Sequence, residues 1–287
     1  MKQRIYIIVI FFAFAFCLQA QRDSLAFVNG NWQTDTLDGL VLRQCRFDGQ
    51  QLFASNQQIF VLEIPDTADY ALKFAHEPHR TKTSEMAQKH GAVAAINGSF
   101  FDMDKHFPIC YLRIDSVNIG ENTPGKDTVN RKYYQFGTLC LNGDSVLILK
   151  TDSSRHWEET LPYPDIMTAG PLLIWHDTVQ PMRKDRTFVT DRHNRTAVGI
   201  RDDGTVLLVV ADGRFKAAAG LSLTELQQIF RWLGCHDALN LDGGGSTTLF
   251  LNIGDYQGVV NCPSDNGRFD HEGERGVSNA VLVGNRQ

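Results

Sequence analysis

Apolar positions along the chain come in short runs broken by turn residues, a pattern of strands and hairpins with few helices. Residues 21–60 read as short strands joined by polar turns, with Asp38-Gly39 and Asp48-Gly49 as hairpin dipeptides. Residues 59–64 form another apolar run, ended by Pro65. Residues 83–90 suit a short amphipathic helix capped by Gly91, and 92–96 then runs apolar up to Asn97-Gly98-Ser99. Residues 134–141 and 145–150 flank Asn142-Gly143, and 196–200 and 205–211 flank Asp203-Gly204; both predict hairpins. The proline-bearing stretch 151–165 predicts a loop, and the polar, charged stretch 176–194 a long exposed one.

The best-defined helix starts at Ser222-Leu223-Thr224-Glu225, a capping box. Leu223, Leu226, Ile229, Phe230 and Leu233 fall on one face, and Gly234 closes the helix. Strands are expected before it, at 206–211, and after it, at 238–241. A strand-helix-strand crossover joins parallel strands, so Asp212 and Asp242 should lie at the same edge of one sheet, where open sheets place ligands. The fold class expected is α+β: a single domain with a mixed β-sheet, β-hairpins, a few helices and that crossover near the active site. Asn97 ends its own apolar run in the same way, so 90–101 and 233–250 echo one another.

Composition changes this picture little. The 287 residues are 43% hydrophobic and 21% charged, with a net charge of -5, so no broad basic surface for nucleic acid is implied. The N-terminus does change it. Lys2 and Arg4, the apolar run 5–16 and Ala20 form the pattern of a secretory signal peptide cleaved after Ala20. The run is short for a membrane span, and Phe16 before Cys17 argues against a lipobox, so an exported protein without stable membrane insertion is expected. The other five cysteines form no Cys-x-x-Cys pair and read as buried small hydrophobes.

Candidate chemistry centres on LNLDGGGSTTLF, residues 239–250. Gly243, Gly244 and Gly245 permit a tight turn whose amides form an anion-binding nest, with Ser246 and Thr247 as hydroxyl donors and Asp242 at its mouth. A structural Asp-Gly turn is the plain alternative. No lysine follows the glycines, so this is not a nucleotide-binding phosphate loop. Arg195, Arg214 and Arg275 stand at expected strand ends beside turn glycines, and guanidinium forks suit phosphate or carboxylate.

AINGSFF (95–101), AGPLLI (169–174), RTAVGI (195–200), ADGR (211–214), the stretch 221–250 and ERGVSNAVLV (274–283) occur in that order. This set resembles the phosphodiester glycosidase family over residues 60–284. The resemblance implies an exported hydrolase that cleaves the bond between an α-linked sugar, N-acetylglucosamine in the animal member, and its phosphodiester. It divides the chain into a signal peptide (1–20), an N-terminal β-rich segment (21–59) and the glycosidase domain (60–287). A sugar 1-phosphodiester requires donors for its anion and carboxylates for its sugar, though so weak a base can leave without a general acid. Asp242, Glu274 and Asp212 are the carboxylate candidates, with Asp102 a weaker one. Asn97 and Asn240 suit sugar hydroxyls, although Asn240 equally fits a satisfied core position. His193 and His271 read as solvated loop residues. No cofactor is called for, and no spacing identifies a metal. Two other readings remain: a metal-assisted phosphodiesterase attacking phosphorus, and a non-catalytic carbohydrate-binding protein.

Overall fold

The computed structural model describes residues 18–124, 131–152, 154 and 156–286. The apolar leader run 5–16 lies outside the described residues. Residues 18–28 form a helix, α1. The next three strands, β1 (Gln33–Leu37), β2 (Leu40–Leu52) and β3 (Ser55–Ile64), make an antiparallel meander. β4 (Tyr70–Lys82) runs into α2 (Thr83–Lys89) and then β5 (Ala94–Asn97). Short strands follow: β6 (Phe101–Asp102), β7 (Phe107–Pro108), β8 (Leu112–Ile114) and β9 (Val117–Gly120). β10 (Gly137–Asn142) and β11 (Ser145–Lys150) pair around Asn142-Gly143 as expected. After these come β12 (Asp165–Ala169), β13 (Leu172–Trp175) and β14 (Thr178–Val179), then a one-turn helix, α3 (Thr187–Thr190). The second half holds β15 (Arg195–Arg201), β16 (Val206–Ala211), α4 (Leu223–Trp232) and β17 (Cys235–Asn240). β18 (Leu249–Ile253), β19 (Tyr256–Val259) and β20 (Gly276–Asn285) complete the chain.

The main sheet has eight strands in the order β1-β2-β3-β16-β15-β17-β13-β14. Two five-stranded sheets, β11-β10-β12-β8-β9 and β19-β18-β5-β20-β4, stand against it. Leu62, Val198, Leu208 and Leu239 of the main sheet share one core with Leu139 and Met167 of the second sheet and Ile96, Leu251 and Val281 of the third. On the other face of the main sheet, Val61, Ala197, Val209 and Ala238 pack with Leu226, Ile229 and Phe230 of α4. Burial on both faces explains why β16, VLLVVA, is apolar at every position and buried throughout. The capping box of α4 forms as read: Ser222 N donates to Glu225 Oε2 (2.8 Å), and Glu225 N donates to Ser222 Oγ (3.2 Å).

Several expectations need correction. The expected mixed sheet is antiparallel in every ladder among the described residues. β16 and β17 do run parallel, but β15 lies between them, antiparallel to both. The crossover therefore skips a strand and still brings Asp212 and Asp242 to one edge. Asp48-Gly49 makes an irregularity within β2, and the chain turns at Phe53-Ala54, both at positive φ. The boundary at 59/60 runs through the middle of β3, whose 59–64 half pairs residue for residue with β16. The N-terminal strands thus belong to the main sheet, and residues 21–28 are helical. The stretch 176–194 carries β14 and α3, with Val189 buried.

Candidate active site

The glycine turn is the joint between two sheets. The chain leaves the main sheet at Asn240 and enters the third sheet at Leu249. β5, in that third sheet, ends at the same place. Asn97 Nδ2 donates to the Asp242 carbonyl (2.7 Å), and Asp242 N donates to the Gly98 carbonyl (3.1 Å). The two echoing segments of the sequence meet here, each ending its strand against the other.

Each of the three glycines makes room for a different neighbour. A Cβ on Gly243 would stand 2.7 Å from the Asn194 carbonyl oxygen. One on Gly244, where φ is +62°, would stand 2.7 Å from Arg214 Nη2. One on Gly245 would collide with the Arg275 guanidinium. Two cationic forks therefore lie directly on the turn. The expected nest of free amides is not what forms. Gly243 N donates to Asp242 Oδ1 (2.9 Å), Gly244 N to the Asn194 carbonyl (2.9 Å), Ser246 N to Gly243 O (3.2 Å) and Thr247 N to Gly244 O (3.3 Å). Among the described residues only the Gly245 amide of the three glycines has no acceptor.

Asp242 is half-buried at this joint. Burial pushes its pKa up to about 6, against the opposing pull of the Ser246 hydroxyl, the Gly243 amide, Arg275 and Arg214. Arg214 is exposed, at φ +68°, and its guanidinium makes no hydrogen bond among the described residues. Arg275 is held by Asp265, with Nε 2.8 Å from Oδ1. The Ser246 and Thr247 hydroxyls are sealed from solvent and unpartnered among the described residues, so neither touches a solute in this conformation. Ser246 lies near enough to favour the ionised Asp242 without meeting hydrogen-bond geometry.

The other expected site residues are engaged in holding the joint. Asp212 is fully buried; its Oδ1 accepts from Asn261 Nδ2 (2.9 Å), and both carboxylate oxygens accept from Cys262 N (3.0 Å each). Burial raises its pKa to about 6 as well. Glu274 clasps the start of α2, accepting from Ser84 N (2.8 Å) and Ser84 Oγ (2.6 Å). Its pKa is raised by burial and restrained by Ser84. Arg195 is buried, and its guanidinium donates to three carbonyls: Leu221 (2.8 Å), Phe188 (3.0 Å) and Asp191 (3.0 Å). Desolvation lowers its pKa to about 10. Asn97 is buried too, its Oδ1 accepting from Thr196 Oγ1 (2.7 Å) and Thr248 N (3.2 Å). Asn240 donates to the Gly170 and Leu241 carbonyls (2.8 and 2.7 Å), while its Oδ1 is buried without a partner among the described residues. Neither asparagine is open to a sugar. Asp102, on β6, accepts from the amides of Asp104 and Lys105, the plain turn role.

Some residues escape the sequence. Asn194 clamps the two Asp-Gly turns together: its carbonyl accepts from Gly244, and its side-chain oxygen accepts from Gly213 N (3.0 Å). Its place directly before Arg195 was the only available sign. Burial, with the charges of Cys110 and Asp242, raises the Tyr134 phenol to about 12. Phe100 packs on Tyr134 at 4.7 Å between ring centroids and on Phe188 at 6.1 Å. His193 is half-buried beside the same arginines, and burial, Arg195 and Arg214 together lower its pKa. His271 bonds the Asn261 carbonyl through Nδ1 (2.7 Å). The five described cysteines are all buried and free. Among the described residues no three His, Cys, Asp or Glu side chains converge as metal ligands would.

The joint thus gathers a half-buried carboxylate, Asp242, and two guanidinium groups, Arg214 and Arg275, at the glycine turn. The family is known from the chain itself: residues 90–284 match the phosphodiester glycosidase family, and the protein belongs to it. Among individual relatives, a 76-residue segment is 40% identical to the mouse N-acetylglucosamine-1-phosphodiester alpha-N-acetylglucosaminidase, covering 26% of this chain and 14% of that protein. A 56-residue segment is 39% identical to the SPbeta prophage-derived uncharacterized protein YomE of Bacillus subtilis, covering 20% and 9%. The chain thus spans a small part of these curated relatives. The fold is that of the zebrafish N-acetylglucosamine-1-phosphodiester alpha-N-acetylglucosaminidase catalytic domain, with a TM-score of 0.66 at 18% identity, over 89% of this chain and 88% of the other.

Proposed function

We propose that the protein hydrolyses the glycosidic bond of an α-linked sugar 1-phosphodiester, with N-acetylglucosamine as the sugar, releasing free sugar and a phosphomonoester. The observation that carries this reading is Asp242 beside Arg214 and Arg275 on the glycine turn. The guanidinium groups take the phosphodiester anion, Arg214 being without another partner among the described residues. The carboxylate faces the anomeric carbon. Above about pH 6 it is ionised, offsets positive charge developing there, and accepts a proton from the attacking water. The C–O bond to phosphate breaks and its electrons leave with the phosphomonoester, held by the two cations. Because that leaving group is a weak base, a second carboxylate as general acid is not required. This suits a site in which Asp212 and Glu274 are already engaged elsewhere.

Hydrolysis in water enriched in heavy oxygen tests the reading. Label at the anomeric carbon of the released sugar is expected. Label in the phosphate overturns it in favour of attack on phosphorus, and absence of any product favours a binding protein.

Export belongs to the same proposal. The basic start, the apolar run and Ala20 support it. Among the described residues no helix is long and apolar enough to cross a membrane. N-terminal sequencing of the native protein should give a start near Gln21; intact Met1 in the exported fraction contradicts it.

A further inference from the structure

We infer that Phe100, Tyr134 and Phe188 form the wall that holds the pyranose ring of the substrate, and that Arg195 is its positioning residue. This rests on the glycosidase reading of the site. All three aromatic residues are half-buried. They form one continuous surface, with Phe100 in the middle, 4.7 Å from Tyr134 and 6.1 Å from Phe188. The surface lies next to the carboxylate: Phe100 follows the Asn97-Gly98-Ser99 turn, whose Asn97 side chain and Gly98 carbonyl hydrogen-bond the Asp242 backbone. The Asp242 charge also contributes to raising the Tyr134 phenol.

The wall is built, not incidental. Gly170 presses on the Tyr134 backbone; a Cβ there would lie 3.1 Å from the Tyr134 carbonyl carbon. Phe188 is fixed from behind by Arg195, which donates to the Phe188 carbonyl and places its guanidinium 5.4 Å from the ring centroid. This explains why an arginine expected to bind phosphate is instead buried among carbonyls. It spreads its charge beneath an aromatic ring and leaves the anion to Arg214 and Arg275.

The ligand chemistry follows. The rings suit the C–H face of a pyranose, not the phosphate, and the cations beside them, Lys132 at 5.7 Å from the Tyr134 ring centroid and Arg195 against Phe188, lie over aromatic faces. The Tyr134 hydroxyl makes no hydrogen bond among the described residues and adds one donor at the edge of that surface. Binding energy is thus divided: cations hold the phosphodiester, and rings hold the sugar next to Asp242.

The test measures the two halves separately, without requiring turnover. Methyl α-N-acetylglucosaminide and inorganic phosphate are titrated independently into the full-length protein, Phe100→Leu, Phe100→Tyr and Phe188→Leu, followed by ligand-observed NMR. Both leucine variants should weaken the glycoside about fivefold to tenfold while phosphate affinity is unchanged; Phe100→Tyr should retain it. Upfield shifts of glycoside ring protons should report the aromatic face. Arg195→Met should weaken the glycoside and leave phosphate affinity unchanged. Glycoside affinity unaffected by both leucine variants, or no glycoside binding by the unaltered protein, overturns the proposal. Loss of phosphate affinity in Arg195→Met overturns its positioning role. A wall that binds glycoside in a protein that releases no sugar from the diester would instead sink the hydrolase reading alone.

Discussion

Asp242 and Asp212 share a pKa raised to about 6, yet their surroundings give them different work. Asp212 is enclosed by Asn261 and Cys262, whereas Asp242 is half-buried and feels the charges of Arg275 and Arg214. Asp242→Asn should keep the fold and lower turnover on the order of a thousandfold, because the lost charge acts in the transition state. Asp212→Asn should keep activity within about threefold, since the amide oxygen still accepts from Asn261 and Cys262. Assays of released sugar distinguish them; equal losses would return Asp212 to the catalytic centre. The two carboxyls also set a stability slope. Each keeps its proton to about pH 6 in the folded chain, against an ordinary value of 3.8. The folded state therefore binds more protons between those values, so stability falls as pH rises from about 4 to 6 and levels off above. The difference is about 3 kcal/mol per group. Denaturant titrations should show a smaller fall for Asp212→Asn than for the unaltered protein. Residue type alone pointed to Asp242 and Arg214, and the structure places both at the glycine turn. It misplaced Arg195, Asn97 and Glu274, whose donors and acceptors are satisfied by partners distant in sequence.

At the scale of elements, the glycine turn and α2 make opposite demands on single substitutions. The turn must stay bare so that guanidinium groups can lie on it. Gly244→Val adds a β-branched side chain at φ +62° and against Arg214, so it should impair sugar release more than it lowers the melting temperature. Gly245→Ala should act likewise through Arg275. Full activity in both would show that the glycines serve only the bend. Glu274 stabilises an element instead. Its carboxylate caps α2 through Ser84, so Glu274→Gln should cost about 1 kcal/mol of stability and leave the maximal rate little changed. A large rate loss at unchanged stability would restore it as a second catalytic carboxylate. Hairpins and the capped helix were legible because their signals are local: Asn142-Gly143 and the Ser222–Glu225 pair act within a few residues. Asp48-Gly49 misled because the ladder continues past it to Phe53-Ala54, a choice made by pairing with β3.

For the whole molecule, what sequence could not supply was the joining of sheets. Nothing local shows that residue 240 ends one sheet and 249 begins another, or that β15 slips between β16 and β17. The same long-range pairing decides which parts of the chain are dispensable. A boundary at 59/60 would separate a β-rich segment from the rest, but β3 supplies the neighbour of β16, with Ile59 opposite Ala211 and Ile64 opposite Val206. Asp212 N also donates to the Gln58 carbonyl (3.0 Å), so the N-terminal strands brace the edge that carries Asp212 and Asp242. Removing residues 1–59 strips β1, β2 and the first half of β3, exposes the edge of the apolar remnant 60–64 and should leave an aggregating chain. Removing residues 1–20 should be tolerated, because the described contacts that tie α1 to the main sheet lie beyond it. Asp23 Oδ1 accepts from Phe53 N (2.9 Å), and the Phe27 ring sits 6.2 Å from Phe47 and 5.3 Å from Trp232. A chain starting at residue 29 loses these while keeping every strand, so it should fold with a melting temperature lowered by several degrees, about 2–4 °C for each kcal/mol lost at this size. Thermal melts of the three truncations give the ranking. Equal stability of the chains starting at 21 and 29 would show that α1 is an appendage and not the last brace of the main sheet.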